Sequence, residues 1–224
     1  MTALITNVAI QKTTFKYEIP YMLLITAVLL VMGMTGNEIT FIEGVILWIL
    51  FIAYLLYLYL LAKKGNDSGD EQSVKLYPVW KCLLFIVLGG VCVVIGSQFV
   101  VNGATTIARA CGMSERFIGL TIVAFGTSLP ELVTSVSAAR KGNAGIAIGN
   151  IVGSNIFNIL FVIGTVALIC PVPFESRFVI DTVVAILCGV LLWGGTIRHN
   201  ELRKPCGVVM LLCYAAYFVY LAAM

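Results

Sequence analysis

The sequence predicts an all-α, polytopic membrane protein with about seven transmembrane helices, and three observations carry that prediction. Of its 224 residues 60% are hydrophobic and only 11% charged, and the mean hydropathy of +1.03 exceeds that of soluble globular domains. Seven apolar runs, near 19–36, 41–62, 80–106, 117–139, 144–170, 177–195 and 206–223, each come close to the roughly 20 residues that a helix needs to cross a bilayer core. Lys and Arg are split unevenly between alternate loops. One side would hold Lys12, Lys16, Lys63, Lys64, Lys75, Lys81, Arg140, Lys141, Arg198, Arg203 and Lys204, and the other only Arg109, Arg116 and Arg177. Eleven against three places the N-terminus in the cytoplasm and the C-terminus outside. The net charge of +3 is then a signal of topology and gives no reason to expect nucleic acid as a partner.

Taken in order, Met1 to Tyr17 has neither a compact apolar core nor a small-residue cleavage site, so the first helix is expected to direct insertion. The first two helices, "IPYMLLITAVLLVMGMTG" and "TFIEGVILWILFIAYLLYLYLLA", carry no polar residue near their centres and read as scaffold. They form a two-helix unit, 1–62, followed by a polar linker at 63–79 and a five-helix part at 80–224. Glu43 and Asp181 lie close enough to helix ends to reach the interface. His199 sits in a basic loop, where a solvated role is the default. The seven cysteines stand singly with no paired spacing, so they read as small packing residues.

The fourth helix breaks the apolar pattern with "GTSLPELVTS", Gly126 to Ser135. Pro130 removes a backbone donor and clashes with the carbonyl one turn earlier, so the helix must kink or break and free carbonyls near Ala124 to Gly126. Bare carbonyls at membrane depth are tolerated only when buried in protein or lining a polar cavity. Thr127, Ser128, Glu131 and Ser135 fall on one broad helical face. Glu131 lies roughly 13 Å along the helix from Arg140, deep enough for a carboxylate to mark an ion or proton path.

The fifth helix places Asn150, Ser154 and Asn158 at intervals of four, with Gly145, Gly149 and Gly153 at the same interval on an adjoining face. The glycines read as a close-packing stripe that would bring the amides towards Glu131. One carboxylate, hydroxyls, amide oxygens and freed carbonyls are hard ligands, suited to Na⁺, Ca²⁺ or Mg²⁺. Ca²⁺ takes about 6–8 oxygens and usually more than one carboxylate, so this inventory is half of a site.

At these residues the sequence resembles the sodium/calcium exchanger family of cation/Ca²⁺ antiporters, in particular its short prokaryotic-type members. The matching text is "GLTIVAFGTSLPELVTSVSAARKGNAGIAIGNIVGSNIFNILFVIG", Gly119 to Gly164, with two linked motifs, G-T-S-x-P-E and G-N-x-x-G-S-N, in order. It looks like the second of the family's two α-repeats, here at 117–170, and the seven helices correspond to helices four to ten of a ten-helix inverted-repeat exchanger.

The resemblance implies that Glu131 is the central carboxylate for Ca²⁺ and Na⁺, that Thr127 and Ser128 supply oxygens with the Ala124 carbonyl beside them, and that Ser154 and Asn158 are the ligands from the next helix. Many calcium-transporting members have aspartate where this chain has Asn158. The expected activity is Na⁺/Ca²⁺ exchange across a cell (inner) membrane, with no cofactor and no enzymatic step. The first repeat is expected to be absent, and a truncated exchanger is expected in preference to a chain that assembles with a partner supplying that repeat, so the chain alone is expected to give no Na⁺-driven Ca²⁺ exchange. Alternatives are an H⁺/cation antiporter or a non-transporting membrane subunit or fragment.

Overall fold

The computed structural model describes residues 3, 7–65, 78–113, 115–141, 144–197 and 201–223. Most of the linker, together with Lys75, Arg198 and His199, lies outside the described residues.

A strand β1 (Val8–Ala9) and a π-helical turn (Thr14–Glu18) lead into α1 (Ile19–Gly36). Pro20 follows directly on the π-helical turn, so its missing N–H falls where the run passes from π-helical to α-helical bonding. Asn37 ends the helix with φ 55°, a left-handed conformation that Asn adopts more readily than most residues. After β2 (Glu38–Ile39), α2 (Phe41–Gly65) starts from a capping box: the Thr40 N–H and Oγ1 donate to Glu43 Oε2 at 2.7 and 2.8 Å. Glu43 is therefore a cap.

Helix α3 (Val79–Ala110) is the longest, and of its residues Ala108 alone is buried. Short α4 (Glu115–Ile118), a π-helical turn (Gly119–Val123) and α5 (Ala124–Thr127) run up to a break at Ser128, beyond which α6 (Leu129–Arg140) leaves at 48°. Helix α7 (Ala144–Phe157), a third π-helical turn (Asn158–Ile163) and α8 (Gly164–Ile169) make one span. Then come β3 (Val172–Pro173), α9 (Ser176–Thr196), β4 (Glu201–Leu202) and α10 (Lys204–Ala223).

Six helical segments are long and apolar enough to cross a membrane, and the bent α5–α6 pair makes a seventh. The strand pairings decide that the bent pair crosses. β2 pairs antiparallel with β3, so the loops after the first and fifth spans lie on one side, which requires an even number of crossings between them. α2, α3 and α7–α8 supply three, and the bent pair must be the fourth. β1 likewise pairs with β4, joining the N-terminal segment to the loop after the sixth span. Both pairings agree with the alternation used in the charge count.

With lipid as apolar as leucine, association of these helices rests on close packing of small residues. The core joins Ile19, Ile25 and Leu29 of α1 to Leu47 of α2, to Val152 and Ile156 of α7 and to Leu192 of α9. Gly44 of α2 and Gly164 of α8 let those helices meet: a Cβ on Gly44 would lie 3.1 Å from the Gly164 carbonyl oxygen. A Cβ on Gly33 would lie 2.3 Å from the Phe174 ring. Asp181 is paired across helices, accepting a 2.6 Å hydrogen bond from Tyr217 Oη of α10, where the sequence alone suggested an acid reaching for the interface. At the far end of α3, Arg109 makes a two-pronged ion pair with Glu115 (Nη2 to Oε2, 2.8 Å). That hydrogen bond holds the Glu115 carboxyl below its usual range.

The glycine stripe corrects an expectation. A Cβ on Gly149 or Gly153 would meet nothing within 4 Å, and one on Gly145 only the neighbourhood of Ala9 and Gln11. α7 packs through Ala147, Ile148, Val152 and Ile156, while its glycines face an open groove.

Gly33→Ala should therefore destabilise the protein by about 1–3 kcal/mol through overpacking against Phe174, read as a lowered midpoint of thermal unfolding in detergent. Gly149→Ala should leave that midpoint unchanged.

Candidate functional site

The break that builds the site follows from Pro130. It offers no N–H to the Gly126 carbonyl, and the Ser128 N–H turns to the Phe125 carbonyl at 3.1 Å instead of the Ala124 carbonyl that a continuous helix would present. Phe125 is thus re-bonded by a tighter turn. The next N–H to resume the helix is that of Leu132, on Ser128 O at 3.0 Å. Upstream of the break, Gly126 presses on α3 so closely that a Cβ there would overlap the Val101 side chain. The bend is wedged between α3 and α7.

Glu131 stands in the first turn of α6, where the exposed N–H groups of the helix start favour negative charge by about 0.3–1 kcal/mol. Its Oε2 is buried and has no hydrogen-bond partner. The neighbouring polar groups bond to one another. Asn150 Nδ2 of α7 donates to the Glu131 backbone carbonyl at 3.4 Å and to Ser135 Oγ at 3.2 Å, and Ser135 Oγ donates to the Ala147 carbonyl at 3.4 Å. Helices α6 and α7 are therefore antiparallel and zipped through polar atoms, with the carboxylate beside the zipper and not spent in it.

The other predicted residues occupy two further places. Thr127 and Ser128 lie at the break and are exposed, and Ala124 begins α5 just upstream. Ser154, half-buried, turns its hydroxyl back to the Ile151 carbonyl at 3.1 Å. Asn158 is exposed and opens a π-helical turn, a local widening that often occurs at functional positions. Asn150 is the residue that reaches Glu131, at its backbone carbonyl, and Ser135 is the residue that holds Asn150 there. Both were visible in the sequence, as the start of the polar stripe and as the next turn of the Glu131 face, but no ligand role was attached to them.

Among the described residues no group of three or more His, Cys, Asp or Glu side chains converges. The site has a single acid surrounded by neutral oxygens. Next to it runs a groove of about 590 Å³ between the segment that precedes α1, the middle of α2 and the glycine face of α7. Asn150 is on its wall, and Glu131 is not.

The polar zipper has a measurable weight. Ser135→Ala should lower stability by about 1 kcal/mol, by removing one of the two acceptors of the half-buried Asn150 amide, seen as an earlier thermal transition in detergent.

Comparison with known proteins agrees with this architecture. The family model for "Sodium/calcium exchanger protein" matches residues 81–223. CaxA of Alkalimonas amylolytica is 34% identical over 229 residues, covering 96% of this chain and 70% of that protein. The sodium/calcium exchanger MaX1 of Methanosarcina acetivorans is 38% identical over 142 residues, covering 63% of this chain and 41% of its own length. A solved structure of the sodium-calcium exchanger NCX_Mj, soaked with zero Na⁺ and Ca²⁺, superposes with a TM-score of 0.77 at 31% identity, covering 98% of this chain and 70% of that one. With its membrane-spanning helices, its broken span and a family match over most of its length, the chain belongs to the sodium/calcium exchanger family, integral membrane proteins that transport ions.

Proposed function

We propose that the chain is the Glu131-bearing part of a secondary antiporter that exchanges Na⁺ for Ca²⁺ across a cell membrane. The observation that carries this reading is the buried, unpartnered Glu131 Oε2 at a break in a membrane span. An acid there is unfavourable by at least a few kcal/mol unless a cation, a proton or a donor meets it.

In this reading Glu131 holds Ca²⁺ or Na⁺, with oxygens from Thr127, Ser128, the Ala124 carbonyl, Ser154 and Asn158. Ser135 and Asn150 hold α6 and α7 in register behind it. One carboxylate falls short of the shell that Ca²⁺ takes, so further oxygens come from a second, repeat-like segment. The family members aligned above are longer than the matched region, and such a segment has room there or in a partner chain. Na⁺ and Ca²⁺ compete for overlapping ligands, and alternating access exposes them to one side at a time. Each net charge moved is worth about 2.3 kcal/mol per 100 mV, so exchange of several Na⁺ for one Ca²⁺ responds to voltage. The eleven-to-three charge bias puts the N-terminus in the cytoplasm.

A second reading, H⁺/cation exchange, is favoured by the neutral Asn158, which leaves Glu131 as the single acid of the set and a natural proton carrier.

The test is ⁴⁵Ca²⁺ binding to the chain in nanodiscs and ion flux in proteoliposomes. Glu131→Gln should lower Ca²⁺ binding at least tenfold. Equal binding by wild type and variant would remove Glu131 from the site. Na⁺-driven Ca²⁺ uptake should appear when a first repeat from a longer relative is reconstituted alongside, and uptake driven by a pH gradient in its place would select the proton reading.

A further inference from the structure

Two thiols are brought opposite each other by the last two spans. Asp181, Cys188 and Gly195 stand at intervals of seven on α9, and Cys206 and Cys213 at the same interval on α10. Seven residues make nearly two helical turns, so each set runs along one face of its helix. Contacts at both ends show that these two faces meet. Tyr217 Oη of α10 donates to Asp181 Oδ1 of α9 at 2.6 Å. At the other end Cys206 Sγ lies 3.8 Å from the Gly195 carbonyl oxygen, and a Cβ on Gly195 would come within 3.1 Å of that sulfur. Early residues of one helix meet late residues of the other, so the two are antiparallel. From the Gly195–Cys206 contact, Cys188 lies back along α9 and Cys213 forward along α10 by the same number of residues, about 10.5 Å at 1.5 Å per residue. The two thiols therefore stand at one depth. Each is free and half-buried, and Cys213 acts electrostatically on Cys188.

Their depth selects the chemistry that suits them. Cys188 falls near the middle of α9 (Ser176–Thr196), a span long and apolar enough to cross the membrane. Hard cations that prefer oxygen are poor partners for sulfur, whereas soft metal ions take thiolates. A thiol loses its proton when a metal binds, and a bilayer core disfavours net charge. Between two thiolates a monovalent ion leaves one negative charge over, and a dication leaves none. Mercuric ion is a soft dication that two thiolates in line satisfy. Entering as uncharged HgCl₂, it forms two Hg–S bonds, and the two thiol protons leave with the chlorides as HCl.

We propose that Cys188 and Cys213 form a dithiol site for a soft, two-coordinate dication, apart from the oxygen ligands around Glu131. A metal held there joins α10 to α9 between the Asp181–Tyr217 and Gly195–Cys206 contacts, and so fixes the last helix at mid-span.

The test treats the chain in nanodiscs with one equivalent of HgCl₂, blocks the remaining thiols with N-ethylmaleimide, denatures it and cleaves it with trypsin, which cuts after Arg203 between the two helices. Mass spectrometry should find the peptides that carry Cys188 and Cys213 joined through one mercury, with two protons lost. The joined species should disappear in Cys188→Ser and in Cys213→Ser and remain in Cys206→Ser. It should also remain in Glu131→Gln, so its outcome is independent of the exchange reading. Peptides recovered separately from the wild type would overturn the site, as would a joined species that survives either single substitution. Joining that appears only when HgCl₂ is added after denaturation would overturn it too, since the pair would then not exist in the folded chain.

Discussion

A bilayer core supplies no water, so every backbone and side-chain polar group in it needs a partner within the protein. The break at Ser128 is where this constraint bears hardest, because Pro130 withholds one donor while Glu131 adds a charge. The surrounding structure responds group by group. The Ser128 N–H tightens onto Phe125, the Asn150 amide crosses from α7 to the Glu131 carbonyl and Ser135, and Val101 of α3 closes over Gly126. What is left over is one carboxylate oxygen. In a structural kink that oxygen has no purpose, whereas in a cation site it is the point.

The scaffold that holds the break is built from small residues and short strand pairs. Gly33, Gly44, Gly164 and Gly189 sit where neighbouring side chains or backbones leave no space for a Cβ without movement. The two strand pairs clip loops on opposite sides of the membrane, and their pairing fixes the parity of the crossings. By contrast α3 is almost uncovered, held in its C-terminal third by the Gly126 approach to Val101 and by the Arg109–Glu115 ion pair. The energetics are uneven across the chain: α1, α2, α7–α8 and α9 form a packed body, with the bent span leaning on α3 and α7.

Glu131 and Glu18 lie on different walls of the region around α7. Glu131 is at the polar zipper of α6 and α7, and Glu18 is on the groove beyond it. Asn150 touches both regions.

The sequence by itself determined the seven crossings, since length and apolarity are local properties and the break at Pro130 is written in one residue. The helix bounds fall within a few residues of the expected ones. It also determined the candidate oxygens, because a face of a helix follows from spacing alone. The tertiary structure decided which of those atoms meet. Asn150 reaches both the Glu131 carbonyl and Ser135 because α6 and α7 run antiparallel in one register, and a register is set by packing between helices. The glycine stripe looked like a packing face, since spacing cannot tell a ridge pressed on a neighbour from one bordering a groove. Glu18 drew no reading from the sequence, since only the packing of α2 and α7 beside the segment before α1 places it on the wall of a groove.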